Sequence, residues 1–186
     1  MSGPSIFVFR DVEGSFPTKW TGVWRPPYKL LDYVSYRVNG QWLTGDNLTS
    51  VQTGTEDRRT HLLDSLRATE ITAPKDGGIS DHLLIENDIS EPKAVTIAME
   101  VGVDIRHQSQ DLGPNKYDTN YRDTELVFSN SEQSLTLESE GFSLEGNERT
   151  KEHFPGERQR ALVPPKLRFN RTVEPHSSTE IEVHIS

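Results

Sequence analysis

The chain has no cysteine. That excludes a disulfide scaffold, a thiolate zinc site and a cysteine nucleophile. Apolar residues are scarce too, at 32% of the chain, so the core is lean. No apolar run approaches the roughly 18 residues of a membrane-spanning helix. Basic charge is short: 20 Lys and Arg face 29 Asp and Glu, a formal net charge of −9. An acidic chain is a poor match for nucleic acid or an anionic membrane, and neither is expected as a partner. The opening MSGPSIFVFRDVEG has no basic region and only Ile6–Phe9 as an apolar stretch. No secretory signal is expected there, and the expected location is cytoplasmic. Low hydrophobicity with high charge borders on the composition of disordered chains. Three Trp, five Tyr and seven Phe, with clear strand patterns, argue against disorder.

The dominant period is two. Val34, Tyr36 and Val38 alternate with polar residues, as do Val95 through Val103 and Ile181, Val183 and Ile185. Each pattern predicts a strand with one face in a core. Further strands are expected at Ile6–Arg10, His82–Glu86, Glu125–Phe128, Leu135–Glu138, Phe142–Glu145 and Lys166–Thr172. Asn39-Gly40 reads as a two-residue hairpin turn, and Asp76-Gly77-Gly78 and Glu140-Gly141 as further turns. Residues 56–71 place Leu62, Leu63, Leu66 and Ile71 near helical spacing, but the setting favours strands. Gln108–Tyr121 and Asn147–Gly156 read as long loops. With 186 residues, no repeat and no linker-like shift in composition, the expectation is one all-β domain over residues 1–186. Its architecture is an antiparallel β-sandwich, supersandwich-like, with little helix.

Motifs for chemistry are thin. Acid pairs such as Asp118 with Asp123, or Glu138 with Glu140, read as solvated strand faces. Glycoside hydrolysis needs two carboxyls held about 5–10 Å apart across a cleft, and sequence proximity does not supply that. His61, His82, His107, His153, His176 and His184 lack ligand spacing, so no metal is expected. His107, near Asp104 and Asp111, comes nearest to a ligand set. There is no phosphate-binding glycine loop and no nucleophile elbow. No cofactor and no catalytic residue is therefore assigned. The informative cluster is aromatic: Trp20, Trp24, Tyr28, Tyr33, Tyr36 and Trp42, with every Trp of the chain included. Flat rings stack on the C–H faces of sugars, and they also fill cores and interfaces. Trp20, Trp24, Tyr28 and Trp42 are the candidate carbohydrate-stacking residues; the alternative is that they pack inside or between domains.

Three blocks resemble the N-terminal domain of glycogen debranching enzymes of the amylo-α-1,6-glucosidase type. They are Phe7-Val8-Phe9-Arg10-Asp11-Val12-Glu13-Gly14, then Thr21-Gly22-Val23-Trp24 with Tyr28-Lys29-Leu30-Leu31-Asp32-Tyr33, then Tyr36-Arg37-Val38-Asn39-Gly40. His82–Asn87, the turn at Ser90-Glu91-Pro92, Val95–Ile105 and the tail from Val173 are similar to the family as well. One departure stands out: Arg25-Pro26-Pro27 occupies the place of an Asp-Thr-Arg-like tripeptide. The resemblance implies a β-sandwich that packs against a separate (α/α) catalytic toroid carrying the acid and base. It also implies a chain without glycosidase activity by itself, one that contacts α-glucan at most. A stand-alone carbohydrate-binding or protein-interaction module, for instance a homodimer through an edge strand, is the alternative.

Overall fold

The computed structural model describes residues 6–111, 117–146 and 165–186. Fifteen strands follow in order among these residues. The first eight are β1 (Phe7–Phe9), β2 (Gly22–Arg25), β3 (Tyr28–Val38), β4 (Gln41–Trp42), β5 (Leu48–Gln52), β6 (Asp57–Leu63), β7 (Leu66–Lys75) and β8 (Gly78–Asn87). The rest are β9 (Lys93–His107), β10 (Asp118–Arg122), β11 (Glu125–Ser129), β12 (Ser134–Glu138), β13 (Ser143–Leu144), β14 (Lys166–Val173) and β15 (Ser177–Ile185). A single 3₁₀ turn, Gly45–Asn47, is the only helical element among the described residues. Two antiparallel sheets result. The first runs β1-β2-β3-β9-β14-β13, with β4 beside β3; the second runs β10-β11-β12-β15-β8-β7-β6-β5. The architecture is the expected sandwich.

Alternation builds the core. Val95, Ile97, Met99, Val101, Val103 and Ile105 of β9 turn inward to meet Leu83 and Ile85 of β8 and Ile181, Val183 and Ile185 of β15. Asn39 and Gly40, at φ 48° and 87°, close the β3–β4 hairpin, which pairs Val38 with Gln41. Residues 56–71 are two strands, β6 and β7, joined at Asp64 with φ 30°. There Leu63 pairs with Leu66 on the inner face, and Leu62 points to solvent. One expectation fails: residues read as loop include Asp118–Tyr121, which form most of β10. That strand is exposed throughout, so it carries no apolar alternation to read. The expected loop Asn147–Gly156 lies outside the described residues.

Two features depart from plain alternation. On β9 the outward residues Ala98, Glu100, Asp104 and Arg106 are buried as well. Tyr33 lies over Gly102, where an added Cβ would sit 2.3 Å from the ring, and its hydroxyl donates to Glu100 Oε1 at 2.7 Å. The other feature lies between the sheets. Arg59, His61, Glu70, Thr72 and Asp81 line the inner face of the second sheet and are all buried. Arg10 donates to Glu70 (3.1 Å) and Thr72 (2.9 Å), Thr72 donates to Asp81 (2.6 Å), and Tyr36 reaches Asp81 across the sandwich (2.9 Å). His61 Nε2 lies 3.5 Å from Glu70. Burial pushes the Tyr36 phenol and the Asp81 carboxyl up. Burial also acts to raise Glu70, but His61, Arg10 and Arg59 together hold it below its ordinary value.

Candidate functional site: an aromatic ridge on a buried ion network

The outer face of the first sheet carries the candidate site. Its foundation is two register shifts between β3 and β9, at Lys29–Leu31 and at Leu31–Tyr33. Bulges re-aim side chains, and here Lys29, Asp32, Asp104 and Arg106 meet beneath the face, all buried. Lys29 bonds Asp32 and lies 4.0 Å from Asp104, while Arg106 Nε donates to Asp104 at 2.9 Å. Burial lowers the Lys29 ammonium to about 8, against the opposing pull of Asp32 and Asp104.

These two cations also hold the loop above them. Lys29 Nζ (3.1 Å) and Arg106 Nη2 (2.9 Å) both donate to the carbonyl of Lys19. The next carbonyl, that of Trp20, accepts from Trp24 Nε1 at 2.9 Å. The Trp20 and Trp24 rings stack with centroids 6.3 Å apart and planes 22° apart. Lys29 and Arg106 in turn lie 5.7 Å and 5.6 Å from the Trp24 centroid. Each contact of this kind is worth about 0.5–2 kcal/mol. Trp24 is buried at 6% exposure, and Trp20, at 55%, stands in the open. Phe7 pairs with Trp24 on the same face, and Phe9 beside it is exposed. The result is a ridge of apolar rings seated on charge.

The candidate residues divide accordingly. Trp20 and Trp24 come together. Tyr28 sits at the same end, but its partners are Arg25 and His107, and alternation sends it to the opposite face from Lys29 and Trp24. Trp42 lies half-buried at the far end of β3, paired with Arg37. From Lys29 to Arg37 the strand rises roughly 26 Å. The buried set Lys29, Asp32, Asp104 and Arg106 was missed in sequence. A Lys29–Asp32 pair three residues apart on a strand gives no periodic signal, and the bulges that unite it with Asp104 are not written in composition. His107 turns away from Asp104 and bonds Ser109 at 2.7 Å.

Chemically, Asp32 and Asp104 are engaged with cations and roofed by Trp24, a poor setting for proton transfer to a substrate. The exposed indole is suited to stacking, on a pyranose ring or on an apolar side chain of another surface.

No family model matches the sequence, and no curated protein sequence matches it. The fold has a solved counterpart. A structure described as "Putative kojibiose phosphorylase from human microbiome" matches 85% of this chain with a TM-score of 0.55 and 11% identity. At that identity the likeness is one of fold. The match covers 22% of that protein, so the chain spans little more than a fifth of its length. Among the described residues no helix is long and apolar enough to cross a membrane.

Proposed function

We propose that the chain is a non-catalytic β-sandwich domain of a carbohydrate-active enzyme, of the amylo-α-1,6-glucosidase type, which packs against an (α/α) catalytic toroid and offers Trp20 to α-glucan. One observation carries this reading. Exposed Phe9 and Trp20 flank buried Trp24 above a set of buried ions that bonds the Lys19 carbonyl, on a face that the sandwich's own core does not need. Apolar rings in the open mark a surface meant for contact. The fold's likeness to a fraction of a much larger carbohydrate enzyme supports the same reading. The second reading, a stand-alone carbohydrate-binding module, uses the same indole without the toroid.

Titration of tryptophan fluorescence with maltoheptaose and with glycogen tests the glucan contact. A saturable shift that disappears in Trp20→Ala is the expected result. A flat response with both ligands removes the glucan contact and leaves the ridge to protein packing. Release of glucose from a limit dextrin by the chain alone overturns the non-catalytic assignment.

A further inference from the structure

The outer face has a second feature, at the end away from Trp20. An open cleft of about 440 Å³ lies there. Its floor is Ala98, and the Asn39-Gly40 turn forms one rim. Arg37 on β3 and Arg168 on β14 both pair with Ala98, one from each side. Their Cα atoms thus stand two strand spacings apart, roughly 10 Å, with only a methyl group between them. Arg168 is held by Glu145 at 3.2 Å. Arg37 lies over the Trp42 ring, 5.4 Å from its centroid, and has no carboxylate partner among the described residues.

The cleft therefore offers a guanidinium stacked on Trp42 with no carboxylate partner among the described residues, a second guanidinium bound to Glu145, and the other oxygen of that carboxylate. Planar bidentate donors and a planar acceptor around a shallow floor match the paired hydroxyls of a pyranose. The volume falls within the usual range for small ligands. A simple anion would meet Glu145 at close range and the chain's net charge of −9 beyond it.

We infer that this cleft is a carbohydrate subsite that holds one hexose unit of a glucan through Arg37, Arg168 and Glu145. The inference rests on the glucan-enzyme reading above but concerns the Arg37 end of β3, roughly 26 Å along the strand from Lys29 beneath the ridge. A short oligosaccharide engages either end without reaching the other.

Backbone amide NMR of the intact chain, titrated with maltotriose and separately with sodium phosphate, tests it. Maltotriose is expected to shift Asn39, Gly40, Thr96 and Ala98 saturably. Arg37→Ala and Arg168→Ala should each weaken that binding by about tenfold or more, and Trp20→Ala should leave it unchanged. Ala98→Leu, which fills the floor without touching charge, should abolish it. Far-UV circular dichroism confirms that each variant is folded. Absent shifts, or shifts insensitive to both arginines, overturn the subsite. Phosphate shifting the same amides while maltotriose does not also overturns it and makes the cleft an anion site. If maltoheptaose still perturbs Trp20 in Arg37→Ala while maltotriose leaves the cleft amides of the wild-type chain silent, the subsite fails and the proposed function stands.

Discussion

Two of the buried ion networks among the described residues differ in where they lead. The inner one joins Arg10, Arg59, His61, Glu70, Thr72, Asp81 and Tyr36 between the sheets. It ties the segment after β1 to the second sheet: Arg59 also donates to the carbonyls of Val12 (3.3 Å) and Asp11 (3.4 Å). The outer one joins Lys29, Asp32, Asp104 and Arg106 and ends in two bonds to one loop carbonyl, directly under an exposed indole. The chemistry is nearly the same in both. The inner set anchors a backbone segment against the second sheet, whereas the outer set lies under a solvent-facing ring. Buried charge alone therefore does not mark a functional place; what it supports does.

The largest expected effect breaks the inner network. Glu70→Ala leaves Arg10, Arg59 and His61 facing each other in the interior. Urea unfolding should show a loss of about 3–5 kcal/mol, with maltoheptaose titration of the folded fraction unchanged.

A middle effect separates the two networks by pH. Lys29 titrates near 8 when folded against 10.5 as its ordinary value. Between those values the unfolded chain holds a proton that the folded chain has released, so stability from this group rises with pH across the window. The cost of Lys29→Met should therefore be larger at pH 10 than at pH 7. Glu70 follows the same sense in an acid window. Its folded value lies below 4.5, so its stabilisation is full above 4.5 and is lost as pH falls through the folded value. The stability gap between the wild-type chain and Glu70→Gln should shrink in acid. Denaturation midpoints across pH check both.

The smallest effect on stability comes from Trp20→Ala, under about 0.5 kcal/mol for a half-exposed side chain. It should nonetheless erase the glucan-induced fluorescence change. A large stability loss there would mean that the ridge is structural.

The sandwich was largely legible because period-two patterns mark strands with one wet face. β3, β9, β15 and the Asn39-Gly40 hairpin stand where alternation and turn chemistry put them. Residues 56–71 resolved as strands because Asp64 accepts a left-handed turn, which separates Leu63 from Leu66. Other parts resist reading for physical reasons. β10 has no buried side to print a pattern. Charged residues such as Arg59, His61 and Glu70 suggest solvent, yet cross-strand pairing turns them inward. Aromatic residues announce a ridge without saying which ring is the support and which is offered. Only the backbone bond to the Trp20 carbonyl and the clamp on Lys19 make Trp24 the support.

The placement of β14 and β15 has a consequence for biosynthesis. β14 separates β9 from β13, and β15 separates β12 from β8, so late segments fill interior places in both sheets. Leu83 waits for Ile181, and Ile97 for Phe169. While a ribosome is still making residues before β14, each sheet has an open gap with apolar walls. Neither sheet can be completed until β14 and β15 have been made, and pairings between segments so far apart in the chain are the kind that form slowly.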